Sequence, residues 1–219
     1  KDQPVKRPYR TTSTKWVDSY FYPWAGKDAR GDRVLNSLRP VKCTGAKGGT
    51  GTRGRTKIRI AQDAILNDRG VEISKRLRQL WVQGCDVKIV FALLGNRSRA
   101  ILEHTKRGPV PRRQIVVDWD ADGVYDRYLH AKVLVISGHY GKDTSFVSSW
   151  QGSENWSGLA KISDEQGLVL RRPRFAKRYI TWVDNLYRNP PEIYPNGRVS
   201  ARTAARGAID PYAIIRANL

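Results

Sequence analysis

The sequence predicts an α/β protein, a mixed β-sheet flanked by helices in an α/β/α sandwich. Three observations carry this. Residues 57–94 read as strand, helix, glycine turn and strand, a βαβ-like unit that commonly implies parallel pairing. Residues 130–150 read as an apolar strand, a polar turn and a second short strand, which is a hairpin. Residues 175–187 place Tyr179, Val183, Leu186 and Tyr187 on one side of a helix. With 219 residues the chain is long enough for one domain with a full core.

Residues 1–15 are basic, carry Pro4 and Pro8, show no periodicity, and are expected to form an extended arm. Trp16, Tyr20, Phe21, Tyr22 and Trp24 follow as an aromatic cluster, suited to an edge strand or to the rim of a cleft. Residues 32–38 suit a short helix. Residues 42–57 set Gly45, Gly48, Gly49, Gly51 and Gly54 among lysines and arginines, a flexible basic loop placed to touch substrate, without the Gly-Lys-Ser/Thr ending of a P-loop. In the βαβ unit, Ile58 and Ile60 mark the first strand, and Ile73, Leu77, Leu80 and Trp81 form one helical stripe. Asn67 or Asp68 can cap that helix and Gly84 can end it. Val87, Ile89, Val90 and Phe91 make the second strand. A weaker helix is expected over 98–105, broken by Gly108, Pro109 and Pro111, then a strand over 114–117. Residues 167–171 close the sheet. The proline-containing stretch 189–219 reads as a tail outside a catalytic domain of residues 16–188.

The formal net charge is +20, from 40 Lys+Arg against 20 Asp+Glu, which predicts attraction to polyanions: nucleic acid, an anionic membrane surface or a phosphorylated substrate. No apolar run approaches the ~20 residues needed to span a bilayer as a helix. Asp118, Asp120, Asp122 and Gly123 imitate the start of an EF-hand loop, but the flanking helices and the closing Glu are missing, so an acidic turn is expected. Cys43 and Cys85 cannot make a four-ligand zinc site by themselves. The chain begins at Lys1 and contains no Met, so a processed N-terminus is expected.

The stretch from Tyr128 to Glu165 carries the chemistry. His130 and Lys132 stand one residue apart at the start of Val133, Leu134, Val135 and Ile136, so on a strand they project together. The hairpin returns Gly152, Ser153, Glu154 and Asn155 beside them. An imidazole, an ammonium, a hydroxyl and a carboxamide converging on one space suit a phosphate: the cation neutralises it, the neutral donors grip its oxygens, and the imidazole can attack phosphorus. A second His-x-Lys, His104 with Lys106, lacks a following strand and a Gly-Ser-x-Asn turn, and reads as a solvated helix end.

This order resembles the HKD motif of the phospholipase D superfamily: His-x-Lys, four residues, Asp, then Gly-Ser-x-Asn. Here it stands as His130, Lys132, Ser137 in place of the Asp, then Gly152, Ser153 and Asn155, with Glu165 matching the acidic residue that follows. The resemblance implies a phospholipase D-type mixed sheet and a metal-independent phosphodiesterase that needs no cofactor. His130 would form a phosphohistidine, Lys132, Ser153 and Asn155, on the Gly152 turn, would hold the phosphoryl oxygens, and Glu165 would fix the tautomer of a histidine.

Family sites join two such motifs and this chain carries one, so a dimer mate, a partner chain or the other half of a longer protein is implied. Phospholipid is the first expectation for substrate. Alternatives are a nuclease that holds DNA or RNA on its basic surface, and a non-catalytic phosphate-binding module. Cys43 and Cys85 are either a disulfide or two buried thiols; the exported members of the family favour the disulfide and a secreted bacterial protein.

Overall fold

The computed structural model describes residues 12–23, 31–121 and 123–196. Most of the expected N-terminal arm and C-terminal tail, and Trp24 and Asp122, lie outside the described residues.

Strand β1 (Thr12–Ser13) and β2 (Val17–Phe21) lead to helix α1 (Arg33–Leu38), which Asp32 caps by accepting from the Leu35 N–H. β3 (Val41–Lys42) precedes the glycine-rich loop. Then come β4 (Lys57–Ile65), α2 (Asn67–Val82) and β5 (Asp86–Leu94), with β4 and β5 parallel as the βαβ pattern predicts. α3 (Asn96–Glu103), β6 (Arg112–Gln114), β7 (Val116–Val117) and β8 (Arg127–Tyr128) follow. The hairpin is β9 (Lys132–Tyr140) and β10 (Asp143–Gly152); β11 (Gln166–Leu170) and α4 (Pro173–Arg188) complete the described elements.

Among the described residues the main sheet runs β1-β2-β11-β10-β9-β4-β5-β6, with β3 also pairing β9. Its β4-β5-β6 side is parallel and the rest antiparallel. β4 is central and buried from Ile58 to Ile65, its polar residues Arg59, Gln62 and Asp63 included. On one face Ile73, Leu77 and Leu80 of α2 pack with Ile58, Ile60, Ile89 and Phe91. On the other, Ala176 and Val183 of α4, with Tyr179, Ile180, Leu186 and Tyr187, cover Ala61, Val90, Val133 and Val135. The two apolar stripes read from the sequence are thus the two outer layers of the sandwich.

Local expectations shift in two places. The strand expected over 114–117 is two strands, because Ile115 passes the chain between sheets. Its N–H donates to the Phe91 carbonyl at 2.7 Å, and its own carbonyl accepts from Leu129 N–H at 3.0 Å. Helix α2 takes no side-chain cap from Asn67 or Asp68; Leu66 precedes it, and Asp68 instead sits in the first turn, where a carboxylate suits the positive helix end.

At the far end of β4, Arg59 is buried and binds Asp86 at 2.9 Å and Asp184 of α4 at 2.6 Å. Burial works to raise both carboxyls, yet Arg59 at Asp86, and Lys88 with Arg59 at Asp184, hold them below the usual carboxylate range. Cys43 and Cys85 form a disulfide inside the α2-side core, spanning 42 residues. Replacing both cysteines by alanine is expected to cost about 4 kcal/mol, from the loop-closure entropy returned to the unfolded chain. Urea unfolding checks this, and an unchanged midpoint would refute it.

Candidate active site

One end of the sheet gathers the chain's chemistry. The C-terminal end of β4, the start of β9, the end of β10 and the start of β11 lie there, in the registers Gln62↔Lys132, Gln151↔Val133 and Gly152↔Gly167. Gly152 is required at this edge, because a Cβ would stand 2.3 Å from the Gln166 carbonyl oxygen. Past Gly152 the chain crosses to β4. The Gln62 amide donates to the Glu154 carbonyl at 3.1 Å, Trp156 N–H donates to the Ala64 carbonyl at 2.9 Å, and Leu66 N–H donates to the Trp156 carbonyl at 3.0 Å. These bonds flank Asp63 on β4 and Asn155 on the turn, so the turn lies across the strand end.

His130 and Lys132 meet at Asp63. Lys132 Nζ lies 3.2 Å from Asp63 Oδ2 and donates to the His130 carbonyl at 3.0 Å. His130 Nε2 lies 3.7 Å from the same Oδ2. That is longer than a formed hydrogen bond, and contacts of this kind tighten once substrate is bound. The environments differ sharply: the His130 side chain is 69% exposed, while those of Lys132 and Asp63 are 6% and 1% exposed. The ring of Tyr128 stands edge-on to His130, with centroids 5.8 Å apart. Asp63 N–H donates to the Ala131 carbonyl at 2.9 Å, which ties the His130–Lys132 segment to β4.

Ser153 donates a short hydrogen bond to a Glu165 oxygen and accepts from Gln166 N–H at 3.1 Å. Asn155 presents a buried Oδ1 that has no partner among the described residues, as do Gln62 Oε1 and Asp63 Oδ1. Glu154, unassigned in the motif, is buried and holds the turn in place. It accepts from Tyr20 Oη at 3.0 Å and from Arg69 Nη2 at 2.7 Å. Arg69 also binds Asp32 at 2.6 Å and the Asn155 carbonyl at 2.9 Å. Burial opposes the charge on Arg69, but the Glu154 and Asp32 carboxylates outweigh it and push the guanidinium above its ordinary range. Burial first, and then Glu154, push the Tyr20 and Tyr22 phenols up as well.

Other features read from the sequence lie elsewhere. Ser137, where the motif has Asp, pairs with Lys57 at the opposite end of β4 and accepts from Gly51 N–H at 3.3 Å. Five strand residues separate it from Lys132, about 16 Å, so it does not reach the site. The basic glycine loop sits at that same far end, not beside His130 as expected for a substrate-touching loop. The carboxylates of the acidic turn accept backbone N–H groups: Asp118 from Gly123 at 2.9 Å, and Asp126 from Trp119 at 2.7 Å. Asp63, Gln62 and Arg69 were missed by sequence reasoning. The signal was a polar pair, Gln62-Asp63, inside the otherwise apolar end of a central strand, where burial is costly unless the groups serve a site.

The architecture has solved counterparts. A phospholipase D family member, Nuc from Salmonella typhimurium, aligns over 81% of this chain and 97% of its own, with TM-score 0.50 and 16% identity. This chain has the phospholipase D fold. Polyphosphate kinase from Porphyromonas gingivalis aligns over 84% of this chain and 27% of its own, with TM-score 0.51 and 15% identity. No protein-family model matches the sequence, and neither does any curated protein. In this chain His130, Lys132 and the Gly152–Asn155 turn lie at one end of the main sheet.

Proposed function

We propose that this chain is a metal-independent phosphodiesterase acting through a phosphohistidine on His130. The observation that carries this reading is the approach of His130 and Lys132 to one oxygen of Asp63, at the strand end that the Ser153–Asn155 turn crosses. His130 is exposed enough to reach phosphorus, and a buried ammonium waits beside it. On attack, the phosphorus–leaving-group bond breaks as the nitrogen–phosphorus bond forms, and water or an alcohol then releases the phosphoryl group. Lys132, Asn155 and Ser153 hold the phosphoryl oxygens and offset the charge that develops on them.

A general acid must protonate the leaving oxygen. The other histidines do not supply it: His104 ends α3 and His139 lies at the far end of β9. A second motif-bearing half, from a dimer mate or a partner chain, provides the second histidine. Asp63 already stands at His130, so Glu165 is the orienter available to that partner histidine.

Phospholipid is the substrate of this reading. Leu159 and Ile162, 70% and 74% exposed, follow directly from the Asn155 turn and suit a lipid interface. The disulfide fits a secreted protein. A second reading, cleavage of nucleic acid, draws on the net charge of +20 and on the outer face of α4, where Arg174, Lys177 and Arg178 surround the partly exposed Trp182. The test is hydrolysis in EDTA of phosphatidylcholine vesicles and of plasmid DNA in parallel. Lipid cleavage is expected; DNA cleavage alone would replace the lipid reading with the second one, and cleavage of neither by the assembled protein would overturn the proposal.

A further inference from the structure

The buried floor of this site is not cationic, although the protein is. Among the described residues two cations are buried around the Gly152–Asn155 turn, and each is already matched; Arg33, half-buried, lines the same cavity as Lys132 and Glu154. Lys132 is paired with Asp63 at 3.2 Å, and Arg69 with Asp32 at 2.6 Å and Glu154 at 2.7 Å. Three buried carboxylates therefore stand against two buried cations. An ammonium has three donors; Lys132 gives one to Asp63 and one to the His130 carbonyl, which leaves one for a ligand. Of the other side chains at this end, Gln62 and Asn155 are neutral, and Glu165, bonded to Ser153, adds a further carboxyl.

We infer that Asp63 is a specificity-determining residue that sets the anion charge this site accepts, admitting the single charge of a phosphodiester and disfavouring the double charge of a phosphomonoester or free orthophosphate. The inference rests on the reading of the site as one that holds a phosphodiester at Lys132. With Lys132 unpaired, a second negative charge on the ligand would meet an uncompensated ammonium, while Arg69 stays matched by Asp32 and Glu154. With Asp63 in place it meets a neutral ion pair whose carboxylate is buried and poorly screened. A diester brings one charge, which the remaining Lys132 donor and the neutral amide donors can hold. The +20 surface gathers polyanions at long range, while the floor selects among them by local charge. A phosphomonoester product would also leave the pocket readily.

The experiment measures equilibrium binding of two anions that are not turned over, dimethyl phosphate and orthophosphate, by calorimetry near pH 8, where orthophosphate is mainly a dianion. The wild type is expected to bind dimethyl phosphate at least as tightly as orthophosphate. Asp63→Asn is expected to bind orthophosphate about tenfold tighter or more, and Asp63→Glu, which keeps the charge, is expected to stay near wild type. Near-UV circular dichroism checks that Asp63→Asn is folded; if it is not, the wild-type preference alone decides. A wild type that prefers orthophosphate about tenfold, a folded Asp63→Asn that gains nothing, or no measurable binding of either anion would overturn the inference. A wild type that cleaves diesters yet prefers orthophosphate would sink this inference and leave the proposed function standing.

Discussion

His130→Ala is expected to lower metal-independent phosphodiester turnover by at least about a thousandfold, the scale seen when a nucleophile is removed from a covalent mechanism. Its structural cost is expected to be small. The side chain is 69% exposed, and its polar contact among the described residues is the long approach to Asp63; surface changes of this kind stay within about 0.5 kcal/mol. The paired measurement is therefore initial rate and thermal midpoint on the same preparation. Acid-labile, alkali-stable phosphoenzyme should be trapped from the wild type during turnover and be absent from the variant. Turnover within about tenfold of wild type in the purified variant would exclude His130 as the nucleophile.

Arg69→Met is expected to destabilise the fold by about 3–5 kcal/mol, the cost of removing one partner from a buried ion pair. The Arg69 side chain is 3% exposed, and those of its partners Asp32 and Glu154 are 2% and 5% exposed. Without the guanidinium both carboxylates remain buried and uncompensated. The Asn155 carbonyl loses its 2.9 Å donor and the Tyr22 hydroxyl its 3.1 Å contact. For a domain this size the loss corresponds to roughly 10 °C or more in thermal midpoint.

The mechanism makes a further demand. Adding Asp32→Asn and Glu154→Gln to Arg69→Met removes the stranded charges, and should recover much of the stability. Activity should not recover with it, because Arg69 and Glu154 hold the backbone that presents Asn155. A single variant as stable as wild type would show that the network contributes little. A triple variant with full activity would show that it does not position the turn.

The βαβ unit, the hairpin and the two apolar stripes were legible because each is a local pattern with one physical solution. Ile73, Leu77 and Leu80 recur at helical spacing and needed a sheet face; Val133 to Ile136 form an apolar run suited to a buried central strand. The His130, Lys132 and Gly152–Asn155 cluster was legible for the same reason, since a hairpin of that length returns the turn to the strand's start. The reading failed where a neighbour distant in sequence decides. Whether Ser137 matters depended on the register of β9 on β4, which sends it to the far end of the strand. The glycine loop was expected to touch substrate from composition alone, but the same register sets it opposite the site.

What the sequence by itself determined is the class of fold and which side chains of the proposed phosphate site lie together at one sheet end, because spacing and residue type settle which side chains share a face. Only the tertiary structure decided their electrostatics. Asp63 lies 69 residues before Lys132, and Arg69 lies 85 before Glu154. No local pattern predicts that these pairs meet, and burial, which makes each pairing obligatory, arises only when the sheet has closed over them.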